Sequence, residues 1–434
     1  MNNESEVKTN VFNNKNFLLV FLGSLVSDLG SVIYSFVVGF YILEISNNNA
    51  FLQGVYLAVC SIVLLVVMLI GGVLCDRYNK ARIMYISDFA KGICVFLSAV
   101  GMMIFPDHET HIVLLFIIGI LGNIASGLFS PASTSLLPHI VEEQLLQQAN
   151  AVLSIKSSVQ SILGIIIAGI LYNMFPPTVL FMIVGRCYII SGISELFVRY
   201  NHVPSEEHLT VKVMFRDMKD GLVYLKTKKV IMIIIEAVLF INFFFAPITS
   251  NFIPYFVKTD LTTAGSYLLD SVLDPEMWLS VISVIMGAAT LIGATILAAR
   301  ERMEKCGRSM VISLSVVAAD LITITLCYWF GVVKGVSINL FLIVLAIGSF
   351  IIGVAITFTN IPVSTVLMKL VDSDKLGKVS SITSVVSQAL VPISSVVAGF
   401  ILQYMGSTML LAACTAGFVR TVVFLLTNRE ISEI

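Results

Sequence analysis

Asp28 lies eleven residues into an apolar stretch, 17–43, that holds no other charge. At the middle of a bilayer an ionised carboxylate costs roughly 2.5 kcal/mol or more unless it is paired or hydrated. Lys156, within a second apolar stretch at 145–175, is the cation best placed by depth to answer it. Such a pair supports two chemistries. Either Asp28 takes up and releases a coupling proton, with Lys156 tuning how tightly it is held, or the two form a permanent structural ion pair. Ser24, Ser27, Ser31 and Ser35 recur every three or four residues around Asp28 and share its helical face. Similar ladders run through Ser154, Ser157, Ser161 and Gly164, through Ser280, Ser283, Gly287 and Thr290, and through Ser380, Ser384, Ser387, Gln388 and Ser395. Ladders of small residues serve as helix-packing seams, as walls of a polar path, or as both.

Tyr34, Asn123, Gln160, Asn242, Phe243, Asn360 and Gln388 complete the candidate path, with Phe36, Tyr255 and Phe358 as polarisable surface suited to a greasy or cationic molecule, or to lipid. Of the other charges, Asp88 and Lys91, one turn apart, can satisfy each other. Arg186, Arg420 and Asp320 are expected to pair with a neighbouring helix or to reach an interface, and Glu195 and Glu236 to face water. His108 and His111, beside Asp107, read better as a solvated turn than as a metal centre. No GxxxxGK[ST] loop is present, and the seven cysteines scatter through apolar stretches without a CxxC pair. No cofactor and no metal is expected, and a polytopic membrane enzyme, the competing class, lacks a polar cluster to work with.

Long helices in lipid must position these residues. Of 434 residues, 57% are hydrophobic and 12% charged, against about 25% charged in soluble domains. A water-soluble enzyme is excluded. Runs of about 20 residues with at most two charges mark twelve spans, from 17–43 to 408–426. The expected fold is an all-α polytopic membrane protein, with twelve transmembrane helices in two pseudo-symmetric six-helix bundles at 17–199 and 230–427. Cytosolic tails are expected at 1–16 and 428–434, and a cytosolic linker at 200–229 with an amphipathic helix that includes Met214, Phe215, Met218, Leu222 and Leu225. Pro131-Ala-Ser-Thr and Pro362-Val-Ser-Thr, 231 residues apart, mark a repeat of the kind found in secondary transporters. Twenty of the 26 Lys and Arg fall in tails and loops on one face, Lys258 and Lys334 on the other, and four within spans. Basic loops stay cytoplasmic, so both termini are expected inside. The net charge of -1 gives no pull towards nucleic acid.

The loop Gly72-Val-Leu-Cys-Asp76-Arg77-Tyr-Asn79-Lys80-Ala-Arg82 joins the second and third spans. Gly72 permits close helix packing, and Asn79 is a residue type that accepts a left-handed turn. The loop resembles the signature of the major facilitator superfamily, Gly, three residues, Asp-Arg, one residue, Gly, then basic residues, with Asn79 in place of the second Gly and Lys80 in place of an Arg. The resemblance implies a conformational latch made by Gly72, Asp76, Arg77, Lys80 and Arg82, with Asp76 against the amino end of the eleventh helix, near 375–379. Three further stretches, Pro131 to Leu145 with Ala149-Asn150, Met214 to Leu225, and Leu376 to Ser381, look like the macrolide-efflux branch of the drug-proton antiporters. The fourth-span Arg of many such antiporters is absent from Gly119-Ile-Leu-Gly122-Asn123, and their fifth-span Gly-Pro pair is reduced to Gly164-Ile with Ala168-Gly169.

Kinship with that family implies a secondary active transporter, not an enzyme. It would be monomeric in the plasma membrane, exporting amphipathic drug- or macrolide-like molecules by proton antiport and alternating access. Siderophores, peptides and lysolipids stand as alternative cargo. The named path residues would carry proton and substrate, and the partners are the cargo, protons and the lipid bilayer, with no nucleic acid.

Overall fold

The computed structural model describes residues 10–142, 145–200, 228–298, 306–370, 383 and 385–428, and every regular element among them is helical. In chain order the long helices are α1 (Lys15–Ile45), α2 (Ala50–Arg77), α3 (Lys80–Ile104), α4 (His108–Ile140), α5 (Leu146–Met174), α6 (Pro177–Leu196) and α7 (Lys229–Leu261). They continue with α8 (Met277–Ala298), α9 (Cys306–Tyr328), α10 (Ile338–Leu370), α11 (Val391–Met405) and α12 (Ser407–Thr427). Eleven of these places hold stretches long and apolar enough to cross a membrane, and α5 adds a shorter apolar stretch at Leu163–Met174. The all-α, multi-span expectation therefore holds, with helix ends mostly within a few residues of the expected spans. The linker helix expected at 200–229 lies outside the described residues apart from its edges.

Local chemistry sets the breaks. Asn47 and Asn48, at φ 54° and 60°, turn α1 into α2, and Gly406, at φ 85°, turns α11 into α12. Asn79 does not take the left-handed turn expected of it. At φ -60° it is the N-cap of α3, its side chain accepting from the Arg82 N–H at 3.0 Å. Asp107 caps α4 in the same way, accepting from the Thr110 N–H at 2.9 Å. Hydrogen bonding to Thr110 holds the Asp107 carboxyl below its ordinary range. The His111 ring is buried rather than solvated, with Nε2 2.9 Å from Met102 O and 2.8 Å from Phe105 O, tying the α3–α4 turn together. In α7 a π turn, Ile248–Phe252, follows Pro247, which has no N–H to give the ladder.

The chain divides into two compact units. The first comprises 1–35, 63–164 and 175–209. Within it α3 packs on α6 through facing glycines, for a Cβ on Gly92 would come 2.8 Å from Gly185 O. Phe17, Met84, Leu136 and Ile140 lie at the centre of a buried cluster at its terminal end. The end of the amino-terminal tail is docked there rather than free. Val11 is buried, its N–H donates to Gln148 Oε1 at 3.1 Å, and Asn14 Nδ2 donates to Ile140 O at 2.6 Å.

The second unit comprises 36–62, 165–174 and 210–434, so the far ends of α1, α2 and α5 pack with the second half of the chain. Backbones meet where α2 crosses α11: Gly54 lies against Ser395 O and Gly399 Cα, and Ala50 N–H donates to Gln403 Oε1 at 2.9 Å. Lys258 Nζ bridges Glu44 at 3.2 Å and Glu276 at 3.4 Å, while Tyr172 Oη donates to Glu44 at 3.3 Å. Ser280 Oγ donates to Ile165 O at 3.0 Å, so part of the eighth-span ladder is a packing seam.

A methyl group has no room at Gly54 but meets nothing within 4 Å at Gly39. Gly54→Ala should therefore lower stability by about 1–3 kcal/mol through overpacking, read as a drop in Tm of the purified protein. Gly39→Ala should leave Tm unchanged or raise it, since Ala is the better helix former by about 1 kcal/mol.

Candidate functional site

The Asp28–Lys156 pair forms inside the first unit. Lys156 Nζ, on α5, donates to Asp28 Oδ2 at 2.8 Å and to Ser24 Oγ at 2.7 Å, both on α1. Gln160, one turn further along α5, donates from Nε2 to Leu25 O at 2.9 Å. Gly164 then lets Val32 approach. The two partners differ in access: the Lys156 side chain is 7% exposed and that of Asp28 44%. The ammonium is thus the sealed member and the carboxylate the open one. Removing the carboxylate would strand a buried cation, which is costly.

A second set of charges lies behind the first, and here two expectations fail. Glu195, expected to face water, is 1% exposed, packed by its Cγ towards Gly23 of α1, with neither carboxylate oxygen hydrogen-bonded among the described residues. The glycine leaves room for α6 to press its last turn against α1, and that closes Glu195 off. Asp88 and Lys91 do not satisfy each other by contact. Asp88, fully buried, accepts from Ser27 Oγ at 3.2 Å through Oδ1, while Oδ2 has no hydrogen-bond partner among the described residues. Lys91 Nζ instead sits over the rings of Tyr188 and Phe129, 5.1 and 5.5 Å from their centroids. Three carboxylates, Asp88, Asp28 and Glu195, lie within electrostatic reach of it.

Ser31, Tyr34, Asn123, Lys91, Ser126 and Tyr188 line a cavity of about 130 Å³ beside this cluster. Ser31 Oγ and Tyr188 Oη are 3.0 Å apart, and Asn123 Nδ2 donates to Gly119 O at 2.8 Å. The cavity has room for a small polar or charged end of a molecule. Ser31, Tyr34 and Asn123 are expected path residues, whereas Tyr188 is not among them and Glu195 is expected in water. The signal was there: Tyr188, Ser191 and Glu195 repeat at three and four residues, the spacing that marks the polar face of α1.

The remaining expected path residues belong to the second unit. Asn242 Nδ2 donates to Ser387 O at 2.9 Å, joining α7 to the start of α11. Phe243 meets Phe244 edge to face at 5.0 Å, and Asn360 and Gln388 are exposed. Of the latch residues, Lys80 is buried and its N–H donates to Tyr200 Oη at 2.7 Å, while Arg82 is exposed. The packing at Gly72 and the side chains of Asp76 and Arg77 lie outside what is described, as does the whole of 375–379. Arg186 is exposed over the Phe96 ring at 6.0 Å, and Glu236 is exposed as expected. Asp320, expected to pair with a neighbouring helix or to reach an interface, is buried, and among the described residues its Oδ2 has no hydrogen-bond partner.

Comparison with known proteins gives these helices a family. The Major Facilitator Superfamily profile matches residues 20–395. Two Bacillus subtilis (strain 168) proteins, both known as uncharacterized MFS-type transporters, are similar in sequence. YvqJ is 24% identical over 293 residues, 65% of this chain and 62% of its own length, so the match spans less than two thirds of that relative. YkuC is 22% identical over 383 residues, 85% of this chain and 81% of its own. Among solved structures, a bacterial homologue of the iron transporter ferroportin in an inward-facing state superimposes with a TM-score of 0.73 at 15% identity, over 98% of this chain and 100% of that one. The nucleoside transporter NupG gives 0.74 at 14%, over 95% and 99%. A D-xylose-proton symporter gives 0.70 at 14%, over 96% and 98%. At such identities the structural likeness speaks for the fold, and the profile match across most of the sequence places the chain in the Major Facilitator Superfamily of membrane transporters.

Proposed function

We propose that this transporter exports amphipathic small molecules, drug- or macrolide-like, from the cytoplasm across the plasma membrane in exchange for protons. One observation carries the reading. The interior of the first unit holds three carboxylates, Asp28, Asp88 and Glu195, and two ammonium groups, Lys91 and Lys156, close enough to act on one another. With all five ionised, one negative charge is in excess. A low-dielectric interior tolerates an unbalanced charge poorly. A proton balances it at one stage of the cycle and a cationic or strongly polar end of the cargo at another, so the two ligands exclude each other and exchange follows. Asp28, whose carboxylate is the most open of the three, is the point of exchange, and Lys156 holds it in place between turnovers.

The packed ends of α1, α2, α5, α7, α8 and α11 in the second unit suit one closed face of an alternating-access cycle. With both termini cytoplasmic, that face is the outer one, and the latch at Gly72, Asp76, Arg77, Lys80 and Arg82 closes the inner one in the other state. The transporter works as a monomer, without a cofactor. The branch-like stretches around Pro131, Met214 and Leu376 support an efflux role.

Everted vesicles made acid inside should accumulate ethidium, a lipophilic cation. Asp28→Asn should lower that accumulation by at least about fivefold, coupling energies between linked ligands being worth roughly 5–150-fold, while ethidium–ethidium exchange persists. Undiminished gradient-driven uptake by the variant would refute the coupling role. For the latch, Asp76→Asn should change the labelling rate of a cysteine introduced at the exposed Thr134 by roughly fivefold or more. An unchanged rate contradicts a role for Asp76 in holding one state.

A further inference from the structure

The seam between α9 and α10, in the second unit, holds a cavity of about 380 Å³. Its wall is apolar, with Val316 on α9 and Val344, Ile347 and Ile351 on α10, except for Asp320 and Thr323. Val316 and Ile347 are 44% and 57% exposed, in a belt of exposed apolar side chains that includes Ile312, Ile322 and Ile343. The mouth therefore opens on hydrocarbon. Asp320 lies fourteen residues beyond the start of α9 at Cys306 and thirteen before the end of the following π turn at Val333, close to mid-membrane.

Its surroundings leave this carboxylate unanswered. Asp320 is 9% exposed, and its Oδ2 has no hydrogen-bond partner. Both oxygens press on α10 at Gly348, where a Cβ would come within 2.9 Å of them. Among the described residues no Lys or Arg forms an ion pair with it. Thr323, on the same face of α9, donates its hydroxyl proton to Ala319 O at 2.9 Å, which leaves the Thr323 oxygen free to accept. The site thus offers a carboxyl group and a neutral acceptor side by side at the edge of an apolar chamber, within the size range of small-molecule pockets.

We propose that this cavity binds a lipophilic amine from the bilayer. The ammonium group bonds to Asp320 and Thr323, and the hydrocarbon part packs on Val344, Ile347 and Ile351. A neutral donor can only hydrogen-bond the carboxyl group, whereas an amine can take up its proton and form the stronger charge-assisted ion pair. The site is separate from the Asp28 cluster and does not depend on the direction of transport.

The test uses the purified full chain in lipid nanodiscs, with dodecylamine and dodecanol each carrying a photoactivatable diazirine. The amine should label α9 and α10 peptides of the wild type, and Asp320→Asn should reduce that labelling about tenfold, the loss of one charge-assisted contact. The alcohol should label wild type and variant equally. Ile347→Trp, which fills the chamber but keeps the carboxylate, should also abolish amine labelling, and it serves as the deciding variant if Asp320→Asn does not fold. Equal amine labelling of wild type and variant, or alcohol labelling as strong as that by the amine, overturns the proposal.

Discussion

Charge in a medium that solvates it poorly is the constraint on which this structure turns. An ion pair sealed in protein persists only if its geometry is good and its spare donors and acceptors are satisfied. Lys156 meets that condition with two short bonds, to Asp28 and Ser24, and α1 and α5 are held in register as a result. Lys91 does not meet it: aromatic faces lie beside it and three carboxylates at longer range, with no contact ion pair among the described residues. The polar face of α1 faces both lysines, so a change of charge at Asp28 is felt on α3, α5 and α6 together.

Small residues supply the complementary freedom. At Gly92 and Gly185, and again at Gly54 and Gly399, helices approach to backbone contact. In lipid such close packing substitutes for the hydrophobic effect, which is weak between helices already surrounded by hydrocarbon. Glycine contacts carry little side-chain interlocking and let backbones approach closely. The Glu44–Lys258–Glu276 bridge at the same end of the second unit is solvent-accessible in part, and ion pairs of that kind are individually weak.

Much of this was legible in the sequence because lipid imposes a simple rule on it. Charge-free runs mark helices, and a lone Asp28 in one run and Lys156 in another invite pairing. The misses share a physical cause. Burial within a bundle depends on which face of a helix a neighbour covers, and no single-span pattern states that. Glu195 sits near the end of its span and so reads as a water-facing charge, but Gly23 on α1 lets α6 close over it. Asn79 reads as a left-handed turn from its type, yet the start of α3 uses its side chain as a cap. Asp320 reads as one half of a pair or as a charge reaching an interface, while the structure gives it a cavity. The stretch 11–14 reads only as part of a polar cytosolic tail because its anchors, Gln148 and Ile140, are more than a hundred residues away.

The account stands or falls on whether proton and cargo compete for a single excess charge in the first unit. Proton release on ligand binding measures this directly: ethidium is added to the purified protein in weakly buffered detergent solution and the pH is followed. The account requires about one proton to leave for each cation bound, as reciprocal linkage at a shared charge demands. Saturable ethidium binding with no release of protons would contradict it.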